Sequence, residues 1–290
     1  MKKYWYRRIL IMALVFFVSV GGSYLLIEQK KDAMRREVSA QTSEEDLVIP
    51  GGMPVGIYMK TKGVMVLDTQ KIKGEDGAEY EPALHIVKAG DYITGFNGKD
   101  INTKNELVEA VSSFSEQKAK LDICRKGETI HVKMNMIQCE DGTKKLGIWV
   151  RDNAQGLGTI TYLDSDSHFG ALGHGIHDID TGELLNISDG TLYLTSVKEI
   201  QKGVNGTPGG MEGIIVYNNY NVLGKIKKNT EAGIFGTIDR VDVLFANQTP
   251  VQLAKKEEVE EGPAIIRCAV DGEIKEIRLM DHKIIIKENK

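Results

Sequence analysis

Apolar residues along the 290-residue chain fall into three regimes. Residues 9–27 run for 19 positions without a charge, broken only by Ser19, Gly21, Gly22 and Ser23, and follow Lys2, Lys3, Arg7 and Arg8. That length suits a helix crossing a hydrocarbon core of about 30 Å. Val38-Ser39-Ala40 has the small residues of a signal-peptide cleavage site but lies too far past the apolar run, which favours an uncleaved anchor. Residues 28–46 are polar and charged without sustained periodicity and read as a linker.

Compact structure is expected from Leu47. There, β-branched runs such as Gly63-Val64-Met65-Val66-Leu67 alternate with turn signals such as Asn97-Gly98. One soluble helix is convincing: Thr103-Lys104-Asn105-Glu106 has the form of a capping box, and Leu107, Val108, Val111 and Phe114 fall on one helical face. Strands resume over 120–134. Beyond about Gly147 nearly every signal is β, with strands expected at 158–163, 191–200, 213–217, 264–270, 273–279 and 283–287, for which a barrel or sandwich is the natural architecture. The implied organisation is a short N-terminus (1–8), an anchor (9–27), a linker (28–46), a first folded module (47–135) and a second (136–290).

Composition sharpens this picture at three points. Thirty-one glycines beside 41% apolar residues favour turn-rich β structure over a helical bundle. Residues 1–37 hold 8 basic and 3 acidic residues, leaving a body with a net charge of −9, which is a poor nucleic-acid binder. Lys30, Lys31, Arg35 and Arg36 follow the apolar run and balance the positive flank before it, so charge alone does not orient the anchor. Cys124, Cys139 and Cys268 are odd in number and far apart, fitting buried small apolar residues better than a disulfide framework or metal site.

The candidate chemistry centres on the run from Gly170 to Gly182, where His174 stands between glycines on a turn. A histidine so placed can act as a general base, though a turn or core histidine is an equal reading of the residues alone. Its partner would be a serine in a glycine-rich turn, and none occurs here: Ser165, Ser167, Ser188 and Ser196 lack flanking glycines. His168, His174, His177, Asp178 and Asp180 are close in sequence without a metal-binding spacing, because adjacent residues of an extended segment point to opposite faces. Asp178 and Asp180 read as turn or strand-end residues. No metal and no cofactor are expected.

Several blocks together resemble the SpoIVB peptidase family of sporulation serine endopeptidases. They are Leu146-Gly147-Ile148-Trp149-Val150-Arg151-Asp152-Asn153 with Gly156, Gly158 and Thr159; Gly170-Ala171-Leu172-Gly173-His174; Asn205-Gly206-Thr207-Pro208-Gly209; Gly233-Ile234-Phe235-Gly236-Thr237; and Glu261-Gly262-Pro263-Ala264 running on to Asp271-Gly272. The resemblance covers essentially the whole chain. It implies a mainly β protein: a transmembrane helix, a PDZ-like α+β module, and an all-β trypsin-like barrel-type peptidase domain with His174 as catalytic base. It also implies a body outside the cytoplasm, in the space between forespore and mother-cell membranes, where the protease cuts a membrane-bound regulator and so triggers activation of a late sigma factor.

Family members continue for several tens of residues with an aspartate and a Gly-x-Ser-Gly-Ser-Pro turn, neither of which follows here. The peptidase domain is therefore expected to be incomplete and inactive alone, with an exposed sheet edge near Ile284-Ile285-Ile286 that invites aggregation. In the PDZ-like module, an extended start, the turn Ala89-Gly90-Asp91-Tyr92-Ile93, Asn97-Gly98, one helix and a closing strand fit the type, and Val55-Gly56-Ile57 is a candidate carboxylate-binding loop for a C-terminal peptide. A plain hairpin turn at Gly56 is the competing reading. The alternative function is a PDZ-type peptide-binding protein or an inactive pseudopeptidase remnant. The expected partners are a peptide or membrane-protein substrate, a PDZ-bound C-terminal peptide and the membrane, with no nucleic acid.

Overall fold

The computed structural model describes residues 47–246, 248–259, 262–269 and 274–279. The expected anchor, the linker and the terminal isoleucine run lie outside the described residues. Among those described, no helix is long and apolar enough to cross a membrane. The protein is mainly β with few helices. Its chief elements are β1 (Leu47–Pro50), β2 (Pro54–Thr69), β3 (Tyr92–Phe96), α1 (Lys104–Ser113), β4 (Lys118–Arg125), β5 (Glu128–Asn135), β6 (Ile148–Asp164), β7 (His168–Ala171), β8 (Ile187–Gln201), β9 (Gly210–Ile215), β10 (Val222–Thr230), β11 (Gly233–Ile238), α2 (Val241–Phe245), β12 (Val251–Gln252), β13 (Ala264–Cys268) and β14 (Lys275–Leu279).

Strand β2 organises the molecule. Its odd-numbered apolar residues Val55, Ile57, Met59 and Met65 face one core, where they meet Ile160, Phe169, Leu192, Leu223, Ile226 and Ile234. Its even-numbered Val64 and Val66 face a second core with Ile93, Leu107, Val111, Leu121, Ile123 and Leu146. Period-two alternation thus lets one strand serve both cores. Gly63 lies between these stretches at φ +90, and a Cβ there would stand 2.6 Å from the Ile93 carbonyl oxygen, so neither the dihedral nor the space admits a side chain.

Around the first core the antiparallel pairings form a closed circuit: β2 with β6, β6 with β7, β7 with β11, β11 with β10, β10 with β8, and β8 back to β2. Hairpin β8–β9 extends from it, and β1 pairs with β6 and β12. Around the second core, β2 continues into β3, β4 and β5, with α1 alongside. The sheet is therefore continuous across the two cores. Leu146, beyond residue 135, is buried in the second core, while β1 and the front of β2 pair with strands beyond residue 136.

The capping box forms as the sequence implies: the Thr103 hydroxyl accepts from Glu106 N–H, and the Glu106 carboxylate accepts from Thr103 N–H. Leu107 and Val111 are buried and Phe114 packs edge-on to Phe96 at 5.6 Å, but Val108 is exposed, since only part of the expected face meets the sheet. A second helix, α2, leaves no periodic signal in the sequence because five residues are too few to show a helical period; it buries Leu244 and Phe245. The strand expected at 158–163 is 17 residues long and begins at Ile148. The three cysteines are free, with Cys139 buried and the other two half-buried.

Candidate functional site

His174 follows β7 on a turn that the backbone makes in an unusual way. Leu172 (φ 74) and Gly173 (φ 77) both adopt left-handed conformations. For leucine this is a strained geometry that local packing must hold. The imidazole is exposed, and its Nδ1 lies 2.9 Å from the Gly175 carbonyl oxygen. A carbonyl only accepts, so Nδ1 carries the proton in the neutral ring and Nε2 keeps its lone pair for solvent or substrate. That tautomer is the one a general base needs.

The loop after His174 is pinned at four places. Asn229 on β10 accepts from Ile176 N–H (2.9 Å) and donates to the carbonyls of Ile176 (2.8 Å) and Leu185 (3.0 Å). Gly175 N–H donates to the Glu231 carbonyl at 3.2 Å. Arg151 on β6 donates to Asp178 at 2.5 Å and pairs with Asp180 at 2.8 Å. The Tyr92 hydroxyl on β3 accepts from Asn186 N–H at 3.1 Å.

Asp178 is buried. Desolvation opposes its ionisation, but the N–H groups of Thr181 and Asp180 and the Arg151 guanidinium outweigh that and hold its carboxyl below the ordinary aspartate range. Burial raises the Tyr92 phenol above its usual value, only partly offset by its bond to Asn186, and the negative charges of Glu183 and Asp178 add to the rise.

Of the other candidates, Asp178 and Asp180 brace the turn, as their sequence position implied. His177 lies 3.3 Å from Glu231 through Nε2, and His168 pairs with Asp164 at 3.1 Å near the turn before β7. Among the described residues, no three His, Cys, Asp or Glu side chains are grouped to hold a metal. Ser188 donates its hydroxyl to the Thr61 carbonyl at 3.0 Å.

Val55, Gly56 and Ile57 do not form a carboxylate-binding loop. They lie within β2, where Gly56 pairs with Leu157 on one side and Tyr193 on the other, so strand partners flank the segment on both edges. Val55 and Ile57 are core residues. Gly56 is a glycine because the Ile215 side chain would stand 2.7 Å from a Cβ, so neither a loop nor a hairpin turn explains it.

The residues that sequence reasoning missed are Arg151, Asn229 and Tyr92. Only Arg151 left a trace, in the alternation Ile148-Trp149-Val150-Arg151 that puts it on the face opposite two apolar neighbours.

The model of the SpoIVB peptidase S55 family matches residues 142–290, just over half of the chain. No curated protein matches. Among solved structures, the PDZ domain of an SdrC-like protein from Listeria monocytogenes is 21% identical, covering 31% of this chain and 87% of that one with a TM-score of 0.25. The PDZ domain of an SdrC-like protein from Listeria innocua is 24% identical, covering 31% and 93% with a TM-score of 0.26.

Proposed function

Because the chain belongs to the SpoIVB peptidase family, we propose that it is a SpoIVB-type serine endopeptidase in which His174 is the general base. The observation that carries this is a contact: His174 Nδ1 lies 2.9 Å from the Gly175 carbonyl oxygen, which can only accept, so the ring proton belongs on Nδ1 and Nε2 is left to receive another. In the reaction, Nε2 takes the proton of a serine hydroxyl as its oxygen attacks the scissile carbonyl. The resulting imidazolium then gives that proton to the departing amine, and water repeats the cycle on the acyl-enzyme. The circuit of six strands around the first core acts as a trypsin-like barrel, with His174 at its rim.

The serine would come from a Gly-x-Ser-Gly-Ser-Pro turn, a motif that does not occur in these 290 residues. In this reading the protein is held by residues 9–27 with its body outside the cytoplasm, and during sporulation it cuts a membrane-bound regulator to trigger activation of a late sigma factor.

The test is peptide hydrolysis by a form that carries the family's serine turn. A general base contributes about 10²- to 10⁴-fold, so His174→Ala should lower kcat by that order, whereas His177→Ala should leave most activity. Equal loss from both variants, or none from His174→Ala, refutes the assignment. Cleavage by the 290 residues alone, lost on replacing one of their own serines, would place the nucleophile elsewhere.

A further inference from the structure

Strand β6 has two halves with different surroundings. Residues 153–164 pair within the circuit around the first core. Residues 148–151 lie against the back half of β2 beside α1, in the register Ile148↔Thr69, Trp149↔Asp68, Val150↔Val66 and Arg151↔Met65. Ile148 and Val150 are half-buried against the core that contains Val66, Leu107 and Val111. Trp149, between them, is 60% exposed. Asp152 closes the stretch by accepting from Lys104 N–H, the first residue of α1, at 2.8 Å.

A strand edge with a helix beside it is the geometry by which extended peptides bind through β-addition, alternate side chains entering the groove. Here the groove is already filled, and the filler is this chain.

Alternation gives the filler a second task. Because Ile148 and Val150 point toward α1, Arg151 points the other way and reaches Asp178 and Asp180 in the loop that follows His174. Asp178 has a side chain only 1% exposed, and among the described residues its cationic partner is Arg151. Removing the guanidinium leaves a buried carboxylate held by backbone N–H groups alone.

We propose that Ile148–Asp152 is a resident peptide in the groove between β2 and α1. An extended peptide with apolar residues at alternate positions displaces it. Displacement withdraws Arg151 from Asp178 and Asp180 and loosens the His174 loop. The consequence for activity rests on His174 being the base; the displacement and the loosening stand on geometry alone. Arg151 is thus a positioning residue that ties groove occupancy to the loop. Because a tethered segment competes at an effective concentration on the order of millimolar, only a well-matched or abundant peptide enters.

The test uses the full chain in detergent with Cys124, Cys139 and Cys268 replaced by serine. Asp68→Cys and Trp149→Cys, directly opposed across the two strands, lock the resident segment on oxidation, and the reduced form of the same variant is its folding control. The probe is a fluorescein-labelled peptide of residues 146–153.

The reduced protein should bind this probe, and Val150→Ser, which removes one apolar anchor of the resident strand, should bind it about tenfold more tightly. The oxidised protein should not bind it. On binding, amide exchange should rise several-fold at 148–151 and also at Asp178 and Gly182, whose N–H groups bond across the loop to Glu183 and Asp178. Arg151→Ala should raise exchange at Asp178 and Gly182 without peptide, with Arg151→Lys between it and the parent.

Equal binding by oxidised and reduced forms, no binding to Val150→Ser up to a few millimolar, or peptide binding that leaves 178–182 protected would each overturn the proposal. Neither readout involves proton transfer at His174. Its failure as a base would therefore appear in the hydrolysis assay and leave these results standing.

Discussion

Replacing Asn229 with alanine should loosen the loop behind His174 by a calculable amount. The side chain makes three hydrogen bonds to that loop, accepting from Ile176 N–H and donating to the carbonyls of Ile176 and Leu185. A neutral hydrogen bond contributes about 1 kcal/mol net, and Asn229 is only half-buried, so water partly replaces what is lost; the expected cost is about 2–3 kcal/mol. For a folded body of roughly 200 residues that corresponds to a fall in Tm of ~5–10 °C if the loop opens with the whole. If it opens by itself, the loss appears as faster amide exchange at Ile176 instead.

Calorimetry and exchange on the same samples therefore capture the effect whichever way the free energy is distributed. Asn229→Asp should not rescue it, because a carboxylate has no donor and would face two carbonyl oxygens. A Tm within about 1 °C of the parent together with unchanged protection at Ile176 would refute the claim that Asn229 holds the loop.

Two further outcomes follow from the same site. Gly173→Ala meets no atom within 4 Å of the added Cβ, so its effect isolates the left-handed backbone; it should destabilise by about 1–2 kcal/mol in urea unfolding, and a neutral result would mean that the turn readily changes conformation. Asp178 has a folded pKa below its unfolded value near 3.9, so the folded state binds fewer protons there. Its contribution is present above that unfolded value and lost as pH falls through the lower folded one. Unfolding followed between about pH 5 and pH 2 should show an acid limb that Asp178→Asn flattens, and an identical limb in the variant would assign the acid sensitivity to other carboxylates.

The chain's local patterns carried much of this protein. The Thr103–Glu106 capping box is visible in four residues because a helix cap is a contact between neighbours in sequence. The β character of the body follows from alternation, and His174 stood out because glycines on both sides of a histidine mark a turn. What the sequence could not determine was which strands meet.

Val55-Gly56-Ile57 looks the same whether it is a loop or the middle of a strand, and only the arrival of Leu157 and Tyr193 on its two edges decides that it is the latter. Alternation puts Val64 and Met65 on opposite faces, but nothing local says that a separate core covers each face. The partners of Arg151, 27 and 29 residues away, and the hold of Asn229 on Ile176, 53 residues away, belong to the same class. Such contacts exist only after long loops have closed, at an entropic cost set by the chain as a whole. The histidine was therefore legible from its neighbours, while the residues that hold its loop in place were set by tertiary structure.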